Sequence, residues 1–146
     1  MPQSYHSMLF HVVFATKERT HFLPPSIQTR LHSYLATMIQ ERFGRPIRIG
    51  GTEDHVHILL DKNPAVNEPD MLRDIKAFSS GWIHKTFPEL ADFAWQAGYG
   101  IFSVSGTHRE MVAEYIRRQA DHHRKVSLSE ELIRLLKRNG VEYDGK

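Results

Sequence analysis

The 146-residue sequence predicts an α+β fold, an antiparallel sheet with helices packed on one face. Three observations carry this expectation. Four segments of strand length are rich in β-branched, aromatic and aliphatic residues and alternate in polarity. Longer segments with apolar residues at helical spacing separate the first strand from the second and the third from the fourth. The two middle strands are joined by a few turn residues, which suits an antiparallel hairpin and is too short for a parallel crossover.

Taken in order, "SYHSMLFHVVFAT" (4–16) is the first strand, with Met8, Phe10, Val12 and Phe14 on one face and Leu9, His11 and Val13 on the other. After the polar connection "TKERTHFLPP", Pro24, Pro25 and Ser26 open a helix that runs to about Phe43. Its Ile27, Leu31, Leu35, Met38 and Ile39 recur at helical spacing, and Gly44 is placed to cap it. "RPIRIGG" (45–51) and "HVHILLD" (55–61) form the hairpin around the turn "GTED". Asp70 is the expected cap of a second helix from Met71 to about Phe87, closed by Pro88. "GYGIFSVSG" (98–106) reads as the fourth strand. "THREMVAEYIRRQADHHRK" (107–125) reads as a third helix, with Thr107 and Glu110 as a capping box, and "SLSEELIRLLKRNG" (127–140) as a last one ending at Gly140. The order β-α-β-β-α-β is the split β-α-β, ferredoxin-like or RRM-like arrangement, with helices added at the C-terminus. Such a sheet hosts many chemistries, so function must come from a site.

No linker or repeat divides the chain, and residues 1–146 are expected to form a single domain. The absence of cysteine excludes disulfides, thiolate metal sites and a cysteine nucleophile, and it fits a cytoplasmic protein. The N-terminus lacks signal-peptide character, and no apolar run reaches membrane-spanning length. A net charge of +2 leans only mildly toward polyanions; the ten histidines are the unusual item.

Two of those histidines carry the chemistry. In "DHVHILL", His55 and His57 flank one valine, so both point to the same side of the strand while Val56, Ile58 and Leu60 point to the core. On a face left open by the helices, two imidazoles one pleat apart can reach one divalent ion. A third ligand is needed. In "EYIRRQADHH", Tyr115 and Gln119 are four residues apart and share one helix face, with His122 and His123 beyond them.

An H-x-H strand followed by a helix bearing Y-x-x-x-Q resembles the single-tyrosine HUH transposases of bacterial insertion sequences, the IS200-like transposase family. The resemblance extends to the element order, the opening strand "FHVVFATKER" and the strand "YGIFSVS". It implies that His55, His57 and Gln119 bind Mg²⁺ or Mn²⁺ and that Tyr115 is the nucleophile. It further implies an enzyme that cleaves and rejoins single-stranded DNA, with hairpin ends, through a 5′-phosphotyrosine, as a homodimer. A phenol of pKa about 10 is a poor nucleophile at neutral pH. It gains from a divalent ion that stabilises the charge developing on phosphate and leaving oxygens.

Expected phosphate contacts are Lys17, Arg19, Arg48 and Arg118, with Arg45, Arg117, Arg124 and Lys125 as further candidates. Trp95 and Tyr99 are candidates for stacking on unpaired bases, whereas Trp82 fits core packing. Two other readings are open from sequence: a domesticated or inactive relative that binds hairpin DNA or RNA, and a ferredoxin-like metal-binding or RNA-binding domain. Covalent attachment to DNA separates the first from a transposase; metal content without any effect on DNA favours the second.

Overall fold

A computed structural model describes residues 3–119 and 127–143. The elements are β1 (Leu9–Ala15), α1 (Pro25–Arg42), β2 (Gly44–Gly51), β3 (His55–Lys62), α2 (Glu68–Thr86), β4 (Gly100–Val104), α3 (Arg109–Arg117) and α4 (Leu128–Arg138). The four strands form one antiparallel sheet in the order β2-β3-β1-β4, so the expected α+β fold is observed. Among the described residues no helix is long and apolar enough to cross a membrane.

One face of the sheet presents Val12, Phe14, Val56, Ile58 and Leu60 to α1 and α2, whose Leu31, Leu35, Ile39, Met71, Leu72 and Ile75 complete the main core. Burying such side chains supplies most of the driving force for this layer. The other face carries His11, Val13, His55, His57 and Phe102. It is not open, as the sequence suggested. The amphipathic α4 lies on it through Leu135, which packs with Val13 and Phe102, and α3 lies beside it. His55 and His57 are therefore fully buried, both 0 % exposed. α1 and α2 cover one face as expected, and the added C-terminal helices α3 and α4 close the face that was expected to be open.

Several boundaries differ from the sequence reading, each for a local reason. β1 begins at Leu9 because that is where pairing to β3 and β4 begins, through Asp61 and Val104. α2 starts earlier than expected: Asn67, not Asp70, is the cap, and its side chain accepts the Asp70 backbone N–H at 3.1 Å. Pro69 in the first turn needs no N–H partner and favours this start. α3 lacks the capping box; a short turn over Gly106–His108 precedes it and His108 caps it without a side-chain bond. It also ends at Arg117, so Tyr115 and Gln119 do not share one continuous face of α3. His122, His123, Arg124 and Lys125 lie outside the described residues.

Gly50 sets how closely α3 approaches the sheet. It faces His57 across the β2–β3 pair, and a Cβ there would lie 2.5 Å from the Ile116 carbonyl oxygen. Only a residue without a side chain lets the helix backbone rest on the strand at this point.

Candidate metal and tyrosine site

β3 aims both histidines at one place because side chains two residues apart share a face. The Nε2 atom of His55 is 3.1 Å from Gln119 Oε1, and that of His57 is 3.2 Å from Glu131 Oε1. Gln119 Nε2 donates to Glu131 Oε1 at 3.0 Å, which orients the amide oxygen toward His55. Glu131 Oε2 is 3.9 Å from His55 Nε2. Gln119 and Glu131 are each 1 % exposed. The candidate ligand atoms of His55, His57 and Glu131 all lie within 4.8 Å of one another.

This donor set fits a divalent cation. Adjacent ligands around an octahedral ion with bonds of about 2.1 Å stand about 3 Å apart. The His55–Gln119 and His57–Glu131 separations, 3.1 and 3.2 Å, match that spacing. Two imidazoles, an amide oxygen and a carboxylate suit Mg²⁺ or Mn²⁺ less strictly than an all-oxygen site and would also accept Zn²⁺.

The outer nitrogens of the two rings are held as well. His55 Nδ1 is 2.8 Å from Asp54 Oδ1 and 2.8 Å from Thr52 Oγ1, within the β2–β3 turn. His57 Nδ1 is 2.8 Å from His11 Nε2. Burial, with the nearby Arg138 charge as a smaller cause, lowers the His11 pKa to about 4, so this ring is neutral at physiological pH.

Tyr115 stands at the edge of the cluster. Its ring lies edge-on to His57 at 5.6 Å between centroids and edge-on to His11 at 6.0 Å. Tyr115 and His11 also line a cavity of about 520 Å³, with Phe102, Leu135 and Arg138 around it. The residues expected from sequence to act together are thus brought together: His55, His57 and Gln119 meet, and Tyr115 adjoins His57.

Glu131 is the residue that sequence reasoning missed. Leu128, Glu131 and Leu135 fall at positions i, i+3 and i+7 of α4 and are its buried residues. A carboxylate in the middle of an apolar stripe was the available signal. Burial pushes the Glu131 carboxyl up to about 8, and the negative Asp54 adds to the effect. Its folded pKa therefore exceeds its ordinary 4.5, so the folded chain holds the proton that the unfolded chain releases. Stability contributed by the protonated group is present below about pH 4.5 and is lost as pH rises through 8. Glu131→Gln is expected to flatten this loss in the metal-free protein, a gain on the order of a few kcal/mol above pH 8. Thermal unfolding in chelator at pH 5.5 and pH 8.5 checks this; identical pH dependence in both proteins would contradict it.

The basic residues are less concentrated than expected. Lys17 and Arg19 are exposed beside the His55 end of the sheet, and Arg19 donates to Ser129 of α4. Arg48 is exposed on the edge strand β2. Arg118 is exposed, but its Nε is 2.8 Å from Glu114, which Arg117 also engages. Arg45 pairs with Asp61 at 3.7 Å. Trp95 is not an open stacking platform: it packs edge-on against Phe14 and Phe93 and donates to Ser79 Oγ at 2.9 Å. Trp82 stacks on Tyr34, and Tyr99 remains exposed.

Comparisons with known proteins bear on lineage and fold. The family model "Transposase IS200 like" matches residues 4–119, a span that includes Tyr115 and the three residues His55, His57 and Gln119 but ends before Glu131. No curated protein matches the chain. Among solved structures, the chain is similar to a candidate transposase from Deinococcus radiodurans R1, at 24 % identity and a TM-score of 0.66. That match covers 82 % of this chain and 96 % of the other. It is also similar to a REP-associated tyrosine transposase bound to a REP hairpin, at 14 % identity and a TM-score of 0.62, covering 86 % of this chain and 74 % of the other. At these identities the solved structures establish the fold, and the family model establishes the lineage. The chain belongs to the IS200-like transposase family.

Proposed function

We propose that this transposase cleaves and rejoins single-stranded DNA with Tyr115 as its nucleophile and a divalent cation held by His55, His57 and Gln119, joined by Glu131. The observation that carries the reading is the position of Tyr115, whose ring adjoins His57 while His55, Gln119 and Glu131 converge beside it.

In this reading the Tyr115 hydroxyl oxygen attacks a DNA phosphorus. The new O–P bond forms as the bond to the 3′-oxygen breaks; the phenolic proton leaves and the 3′-oxygen takes one up. The bond energy is kept in the phosphotyrosine, so reversal onto another 3′-hydroxyl needs no ATP. A bound Mg²⁺ or Mn²⁺ would supply charge stabilisation at the phosphate. His55 and His57 contribute neutral donors, which leave that charge available, and Gln119 adds an uncharged oxygen. The buried histidines lie beneath α4, which itself carries Glu131. The cavity beside Tyr115 and Arg138 is the nearest space into which a nucleotide fits. Lys17, Arg19, Arg48 and Arg118 are proposed to contact phosphates outside the site.

One solved relative in fold is bound to a REP hairpin. That supports hairpin DNA as the form in which this chain meets its substrate. Tyr115 adjoins His57 of its own chain, which supports a site complete within one subunit; in a homodimer, two such sites would handle two DNA ends.

The test uses Mn²⁺ and labelled single strands from both flanks of the protein's own gene. A denaturant-resistant protein–DNA band that requires Mn²⁺ and disappears in Tyr115→Phe is expected. Hairpin binding without any covalent band in the wild type would instead favour a non-catalytic relative.

A further inference from the structure

We infer that His11 is the positioning residue that fixes the tautomer and ring plane of His57. The inference rests on the proposed metal site. An imidazole nitrogen offers its lone pair to an ion only when the ring proton sits on the other nitrogen. His57 turns Nε2 toward Glu131, so for that atom to hold an ion its proton must sit on Nδ1. Nδ1 faces His11 Nε2 at 2.8 Å, inside a pair buried to 3 % and 0 % exposure. In the metal-ready state His57 Nδ1–H therefore donates to His11 Nε2. Asp54 performs the same task for His55, so each proposed ligand has its own partner on a different strand or turn.

The place of His11 in the sheet makes the arrangement rigid. It lies on the central strand β1 opposite Leu59 and Phe102, one diagonal step from His57, which pairs with Val13. Its ring lies within 29° of the His57 plane with centroids 5.1 Å apart, and the Tyr115 ring meets it edge-on. One side chain thus braces both the proposed ligand and the proposed nucleophile.

The choice of an imidazole here also has a physical reason. Asp54 and Glu131 already supply carboxylates around the site. A further carboxylate, buried at position 11, would orient His57 equally well but would add negative charge where a phosphate must enter. A neutral ring accepts the hydrogen bond without that repulsion.

Three variants separate this role from simple packing. His11→Gln can place its amide oxygen where Nε2 stands. His11→Asn has the same polarity but its oxygen reaches only to the Nδ1 position. His11→Phe keeps the ring volume and has no acceptor. Mn²⁺ binding is measured by titration calorimetry, with thermal unfolding in chelator as the control for folding. His11→Phe and His11→Asn are expected to bind Mn²⁺ roughly 10- to 100-fold more weakly than the wild type. His11→Gln should recover most of the loss, although its stability in chelator matches that of His11→Asn. Wild-type affinity in His11→Phe, or a His11→Gln protein as weak as His11→Asn, would overturn the inference. A wild type that takes up no Mn²⁺ would overturn the metal site itself, and this inference with it; a wild type that binds Mn²⁺ but forms no DNA adduct would overturn only the proposed cleavage.

Discussion

Replacing His57 by alanine is expected to reduce metal-dependent strand cleavage by about two to three orders of magnitude, the usual cost of removing one group that stabilises transition-state charge. The imidazole lies between His11 and Glu131 and adjoins Tyr115, so its removal opens the centre of the site. His55→Ala should cost a similar factor, and the double variant little more than either alone. Residues that hold one ion act as a unit, and once the ion is lost there is little further to lose. Single-turnover cleavage of the gene-flank strands at saturating Mn²⁺ measures this. Fully multiplicative losses in the double variant would mean that the two histidines do not share an ion.

Gly50→Ala is the second large effect, and it acts through the backbone of α3 without altering a ligand side chain. The new Cβ would meet the Ile116 carbonyl oxygen at 2.5 Å and Ile116 Cγ2 at 2.9 Å. The first contact is with backbone and cannot be relieved by a rotamer change, so α3 must lift from β2. Ile116 directly follows Tyr115, and Gln119 lies just past the helix end, so a shift of about 1 Å moves both relative to His57. Misplacement on that scale is expected to lower cleavage about 100-fold, with a stability loss of about 1–3 kcal/mol from overpacking. Hairpin binding should change much less. The check is cleavage and thermal unfolding on one preparation; near wild-type cleavage would show that α3 has room to spare.

How far the site was legible in the sequence differs from residue to residue. His55 and His57 were legible because strand periodicity puts them on one face whatever the rest of the chain does. The sheet was legible for the same reason, since the alternation in β1 and β3 divides core from site residue by residue. The burial of that second face was not. It depends on α4 folding back, and an amphipathic helix states that it will cover something without stating what. Glu131 was not legible for the same reason: its role depends on where α4 lands, over His55 and His57. The end of α3 at Arg117 was also invisible: no glycine or proline interrupts "EYIRRQADHH", and the helix yields where Gln119 turns to His55 and Glu131. Trp95 shows the same limit in reverse. The sequence offers it as a candidate for base stacking, yet the ring packs beside Phe14 and finds a partner in Ser79.

In the proposed reaction Tyr115 is the residue that becomes joined to DNA. The most direct measurement is mass spectrometry of the covalent adduct, formed with Mn²⁺ and a gene-flank strand, digested with nuclease and then with trypsin. A nucleotide phosphate is expected on the peptide that contains Tyr115 and on no other tyrosine. A phosphate carried by Tyr99 or Tyr143, or by a non-tyrosine residue, would contradict it.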